Sequence, residues 1–177
     1  MTGAVVAPNA GKLSYPWLQS YPKATRWDAA FSPRPLATLL DDAAKRFGRR
    51  PCTTFLGRTT SYADIAAQTD QVAAGLQRLG VVKGTKVGLF LPNCPTFIIY
   101  YFAALKVGAT VVNFNPLYTL EELTFQIKDS ETELMITLDL KLLFDKVEAL
   151  MKAGTLPRAV VASFRALLPG AKSVLFR

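Results

Sequence analysis

The run Lys86-Val87-Gly88-Leu89-Phe90-Leu91-Pro92-Asn93-Cys94-Pro95, continued by Ala109-Thr110-Val111-Val112-Asn113 and by Leu134-Met135-Ile136-Thr137, decides how this chain folds. Short apolar segments of β-forming residues alternate with helical patterns, and each junction carries a start or stop signal. Pro95 presets φ for the first turn of a helix running through Leu105, and Gly108 stands where that helix must end. Asn115-Pro116-Leu117-Tyr118 leads into Thr119-Leu120-Glu121-Glu122, in which Thr119 caps the next helix while Glu122 reaches back to the free backbone amide. The alternation predicts an α/β fold: a partial doubly wound parallel sheet covered by helices. Near-continuous apolar strands such as residues 109–112 also predict burial on both faces.

Upstream, Leu36, Leu39, Leu40, Ala43, Ala44 and Phe47 follow the three-and-four spacing of an amphipathic helix, with Gly48 as its left-handed stop. Residues 52–56 and 58–61 flank Gly57 and read as a short β-hairpin. Ser61 with Asp64 resembles a capping box opening a helix that runs to Leu79 and ends at Gly80. Downstream, Asp139 is expected to cap a helix carrying Leu142, Leu143, Val147, Leu150 and Met151, stopped by Gly154. Residues 159–162 read as a fourth parallel strand. Phe164, Leu167, Leu168, Ala171 and Leu175 then have helical spacing broken by Pro169, which leaves a crossover loop and an interfacial helix both open, the loop favoured.

The first 34 residues carry Pro8, Pro16, Pro22 and Pro33 with Tyr15, Trp17, Tyr21 and Trp27 between them and little periodicity. This is an irregular arm, whose aromatic residues either pin it to its own domain or reach a second subunit. The expected division is therefore arm 1–34, α/β subdomain 35–163 and a basic connecting segment 164–177.

Leu91-Pro92-Asn93-x-Pro95, Ala103-Ala104-Leu105-Lys106-x-Gly108-Ala109, Asn115-Pro116-Leu117-Tyr118-Thr119, Glu122-Leu123 and Lys128-Asp129-Ser130 together resemble the N-terminal part of AMP-forming acyl-CoA synthetases, and within them bacterial long-chain fatty-acid–CoA ligases. The likeness extends back through Phe47-Gly48-x-Arg50-Pro51, Ser61-Tyr62-x-Asp64, Ala73-Ala74-Gly75-Leu76-x-x-Leu79-Gly80 and Lys83-Gly84-x-Lys86-Val87, covering residues 36–138. It implies a whole enzyme that joins a fatty acid to AMP and passes the acyl group to the thiol of CoA, using ATP and magnesium. The family's Ser/Thr/Gly-rich phosphate loop, ribose-binding aspartate and mobile C-terminal lysine have no counterpart in this sequence. An N-terminal piece without adenylating activity is the expectation, and no catalytic, cofactor-binding or metal-ligating residue is assigned within it. A related synthetase for aromatic or short acids remains open, because the N-terminal pattern is shared more widely than chain-length choice. So does a free-standing flavodoxin-like module, which shares the strand–helix grammar but needs a ligand-binding turn not evident here.

Composition narrows the classes further. The chain has 177 residues, half of them hydrophobic, enough for a true core and unlike a disordered tail. Its two cysteines, Cys52 and Cys94, sit in unrelated local patterns, which argues against a disulfide framework or zinc site and suits a reduced cytoplasm. A formal charge of +8 comes from scattered cations with no aromatic stacking platform, so nucleic acid is not the expected partner. The end of the chain is the asymmetric region: Lys152, Arg158, Arg165, Lys172 and Arg177 follow Glu148 with no further acid, a charge that an anionic membrane surface would attract. Residues 1–13 lack the plan of a secretory signal, and the most apolar run, 97–105, is far shorter than the roughly 20 residues needed to cross a bilayer. It reads as a core helix.

Several motifs reduce to structure. Gly80-Val81-Val82-Lys83-Gly84-Thr85-Lys86 has the glycines and lysines of a phosphate loop but lacks Gly-Lys-Ser/Thr and leads into a strand, so it reads as a helix-to-strand turn. With no histidine, Ser–His and Cys–His catalysis are excluded within this chain. Asp41-Asp42 and Glu121-Glu122 lie near helix starts, where the dipole accounts for them. Asn93 and Asn115 remain as polar residues at the carboxyl ends of strands, where such folds gather ligands, with turn stabilisation the alternative role for each. An assembly of like subunits is compatible with all of this.

Overall fold

The computed structural model describes residues 15–170, which divide into two compact units at the Arg34–Pro35 junction. In the first, a 3₁₀ turn spans Pro16–Ser20, and the Tyr15 ring packs on Trp17 and Trp27 with centroids 5.1 and 4.8 Å away.

The second unit opens with α1 (Thr38–Phe47), the hairpin β1 (Pro51–Phe55) and β2 (Arg58–Ser61), and α2 (Tyr62–Arg78). The hairpin closes on Leu56 and Gly57, both with positive φ (50° and 91°), as a two-residue type I′ turn requires. Strands and helices then alternate: β3 (Lys86–Phe90), α3 (Pro95–Lys106), β4 (Thr110–Phe114), α4 (Leu120–Ser130), β5 (Leu134–Leu138), α5 (Lys141–Lys152) and β6 (Ala159–Ala162). The last four strands form one parallel sheet in the order β4-β3-β5-β6. From β3 the chain steps one way to β4, then back across β3 to β5 and onward to β6. Because parallel crossovers are right-handed, α3 lies on one face and α4 with α5 on the other. Helix α2 packs on α3, and α1 on α2, completing the first layer.

The core follows the sheet. All of β5 is buried, as are residues 87–90 of β3. A smaller cluster of Leu40, Ile65 and Ile99 joins α1, α2 and α3, and Lys106 Nζ ties the same three helices by reaching Asp41 and Asp70 at 2.6 Å each. Gly88 is required for close approach: a Cβ there would lie 2.8 Å from Phe114 Cε2 and 3.0 Å from Thr132 Cγ2. Its absence lets the Phe114 ring lie across β3.

Three expectations are corrected. Gly48 does not stop α1 in the left-handed region; it stays right-handed (φ −35°, ψ −50°). The chain instead turns through a bond donated by Arg50 N–H to Phe47 O, and Gly48 O accepts from Ala63 N–H at 3.0 Å, joining the end of α1 to the start of α2. Asp139 does not cap α5, whose N-cap is Leu140 without a side-chain bond; its Oδ1 accepts from Phe164 N–H at 2.6 Å. The carboxylate is spent on holding the chain as it leaves β6. Nor is β4 buried on both faces, for Thr110 and Asn113 are exposed and only Phe114 is fully buried. Among the described residues it is an edge strand, with β3 as its one neighbour in the sheet.

Other signals hold. Thr119 Oγ1 accepts from Glu122 N–H at 3.2 Å while Glu122 Oε2 accepts from Thr119 N–H at 2.7 Å, a complete capping box. Ser61 Oγ accepts from Asp64 N–H but donates to Asp64 Oδ2, so only half of that expected box forms. Residues 165–167 form one 3₁₀ turn, after which the chain is extended at Leu168; Ala171 and Leu175 of the proposed helical spacing lie outside the described residues.

Candidate functional site

In an open parallel sheet, ligands gather beyond the carboxyl ends of the strands where the winding reverses. Here that point lies between β3 and β5, and the residues leaving β3, β4 and β5 include Asn93, Asn115 and Asp139. The structure separates their roles. Asn115 Oδ1 accepts from Leu117 N–H at 3.0 Å and its carbonyl accepts from Tyr118 N–H at 3.0 Å, so it builds the turn that delivers Thr119 to the start of α4. Asp139 is engaged by Phe164, as above. Asn93 lines a cavity and is exposed.

That cavity, about 350 Å³, opens between β1 and the first turn of α3 and is lined by Thr53, Phe55, Asn93, Cys94, Phe97 and Ile98 among others. Its walls are aromatic and aliphatic, fit for a hydrocarbon or an aryl ring rather than a phosphate. Pro95 at the first helical position removes an amide donor from the helix end that faces it, and Cys94, the N-cap, makes no side-chain capping bond. Thr53, in the same wall, has its Oγ1 buried without a hydrogen-bond partner. The hairpin residues Thr53 and Phe55 escape sequence reading, because no local pattern shows that a short antiparallel strand folds over a helix start distant in the chain.

One carboxylate of each acidic pair has a structural partner. Asp41 holds Lys106, and the Glu122 carboxyl is pushed below its ordinary range by the Thr119 amide and hydroxyl and by the charge of Lys146. Lys146 Nζ in turn donates to Tyr118 O at 2.6 Å, fastening α5 to the turn before α4. Burial raises the Cys52 thiol, which disfavours the thiolate form. Among the described residues no group of three or more His, Cys, Asp or Glu side chains is placed to hold a metal ion.

Comparison with known proteins agrees with the sequence resemblance. Residues 40–173 match the family model of the AMP-binding enzymes. The long-chain-fatty-acid–CoA ligase of Bacillus subtilis is 35% identical over 161 residues, covering 91% of this chain and 28% of that protein. A 4-coumarate–CoA ligase of Humulus lupulus is 37% identical over 106 residues, 59% of this chain and 19% of that one. Among solved structures, a long-chain-fatty-acid–CoA ligase from Archaeoglobus fulgidus superposes with a TM-score of 0.66 at 26% identity, over 76% of this chain and 28% of its own. The chain thus matches between 19% and 28% of the length of these relatives. With a family model over most of its residues and a parallel sheet that matches, the chain belongs to the AMP-binding enzymes.

Proposed function

We propose that the whole protein is a long-chain fatty-acid–CoA ligase, which activates a fatty acid as its acyl-AMP with release of pyrophosphate and then forms the CoA thioester. The observation that carries this is the 35% identity to the Bacillus subtilis ligase sustained along 91% of the chain. ATP, magnesium and CoA are the implied partners of the whole enzyme, in a reduced cytoplasmic setting. The described residues offer no donor set for magnesium, so no step is assigned to it here.

Within this chain the proposed role is architectural: the subdomain of residues 35–163 supplies a rigid sheet, and the segment from 164 leads on from it. Acyl-adenylate formation needs ATP phosphates cradled by preorganised donors and a carboxylate aimed in line at the α-phosphorus. The turn after β3 is built on two prolines, each lacking an amide, and the glycine-rich turn at 80–86 runs into a strand rather than a helix. The same proline-built turn disfavours a flavodoxin-like phosphate site. A synthetase for aromatic acids is the second reading, favoured by the Humulus lupulus relative.

The test is fatty-acid-dependent exchange of labelled pyrophosphate into ATP, run on this chain and on the full-length protein. Exchange is expected from the longer protein alone. Exchange by this chain would overturn the architectural role, and a full-length protein active only on an aromatic acid would overturn the substrate.

A further inference from the structure

The basic end of the chain is the first place to look for an anionic partner, but part of its charge is already engaged. Lys152 pairs with Glu148 at 3.0 Å, and Arg158 donates to the Leu79 carbonyl at 2.8 Å. A denser group of cations lies elsewhere. Lys45 and Arg46 close the last turn of α1, and Arg49 and Arg50 follow in the turn to β1. All four are exposed, and none forms an ion pair among the described residues.

The helix dipole accounts for Lys45 and Arg46 at a carboxyl terminus, but not for Arg49 and Arg50 beyond it. The guanidinium groups of Arg46 and Arg50 both sit over the Phe47 ring, 5.0 and 5.4 Å from its centroid, and Phe47 leans on Tyr62 at 6.0 Å. Like charges are thus gathered on one aromatic base, an arrangement whose self-repulsion an external anion would relieve. The nearby carboxylates are few: Asp41 is held by Lys106, and Asp64 accepts from the Ser61 hydroxyl. Two turns before Arg46 on the same helical face stands Leu39, 41% exposed, an apolar side chain beside the charge.

We propose that Lys45, Arg46, Arg49 and Arg50 form a docking surface for a bilayer rich in anionic lipid headgroups. The choice of bilayer rests on the reading of the enzyme as one for long-chain acids, which partition into lipid. It rests also on the Phe47 ring, which is half-buried and carries two guanidinium groups, leaving less of its face for a nucleobase to stack on. Each cation near such a surface is worth roughly a fivefold gain in partitioning at physiological salt.

The test is co-sedimentation with vesicles of phosphatidylcholine alone or with phosphatidylglycerol added, using this chain. Wild type is expected to bind the anionic vesicles only, and to be released as salt screens the attraction. The variant K45A/R46A/R49A/R50A is expected to lose on the order of a hundredfold or more in partitioning. The variant R46K/R49K/R50K keeps the charge and is expected to bind, and thermal melts by circular dichroism confirm that both fold. Equal binding to the two vesicle types, or undiminished binding by the alanine variant, overturns the proposal. Tighter capture by a DNA duplex than by anionic vesicles, with the same dependence on these residues, overturns the lipid assignment. Pyrophosphate exchange by the full-length protein on a water-soluble acid is read separately, so failure of the enzymatic reading leaves the vesicle result standing.

Discussion

Thr110-Val111-Val112-Asn113-Phe114 and Leu134-Met135-Ile136-Thr137-Leu138 are β-forming runs of equal length in the same parallel sheet, and they end in different environments. Every residue of β5 is buried, whereas in β4 Thr110 and Asn113 are exposed and the two valines are half-buried. β5 lies between β3 and β6 with a helix layer on each face; among the described residues β4 has β3 on one side and no strand on the other. An apolar β-branched run reports that a segment is a strand. Its place in the sheet is set by which connection reverses direction, here the crossover through α4 that carries the chain back past β3.

The sharpest way to break this comparison is to remove the same kind of atoms from both strands. Ile136→Ala is expected to cost about 2–5 kcal/mol, as large-to-small changes in closed cores do. Val111→Ala, at an edge with solvent beside it, should cost about 1 kcal/mol or less. Urea denaturation of the two variants checks it, and equal losses would mean that β4 is covered in solution as β5 is.

Next in size is the contact that locks the edge onto the centre. Gly88→Ala is expected to lose about 1–3 kcal/mol, because the added methyl group meets the Phe114 ring at 2.8 Å and Thr132 Cγ2 at 3.0 Å. Adding Phe114→Leu should recover part of the loss in the same measurement. No recovery would show that the cost comes from β3 itself and not from the packing of β4 across it.

The smallest expected effect is at the start of α4, the connection that separates the two strands in the sheet. Thr119→Ala should lower stability by about 1 kcal/mol through loss of the cap. The Glu122 carboxyl has its folded pKa depressed, first by the Thr119 amide and hydroxyl and then by the charge of Lys146. Its contribution is therefore full above the unfolded carboxylate range and is lost as pH falls through the folded value. The difference in melting temperature between wild type and Glu122→Gln should shrink on acidification across that range; a constant difference would remove the carboxylate from the account.

The hairpin shows how much of the fold was legible: Gly57 between two short β-forming runs predicted its place, and the turn has the two positive φ angles that such a loop needs. Pro95, Thr119, Gly80 and Gly154 likewise marked helix ends where the structure puts them. Gly48 and Asp139 were misleading for one reason. Each has a standard local role at a helix end, and each is used instead for a contact with a segment remote in sequence, Gly48 with Ala63 and Asp139 with Phe164. The candidate cavity was half legible: Asn93 and Cys94 were visible at a strand-to-helix turn, but Thr53 and Phe55 were not, because their approach depends on how the hairpin folds over α3.

By itself the sequence determined the strand–helix alternation, the caps, the glycine turns and the membership in the AMP-binding enzymes, because these rest on short-range sterics, hydrogen bonding and motifs that neighbouring residues carry. Only the tertiary structure decided that β4 is an edge and β5 the centre, that Gly88 makes room for Phe114, and that Arg46 and Arg50 share one ring over an unpaired cationic cluster. Those outcomes depend on which surfaces meet after the chain has reversed direction in space, and burial, close approach and charge crowding are properties of that meeting.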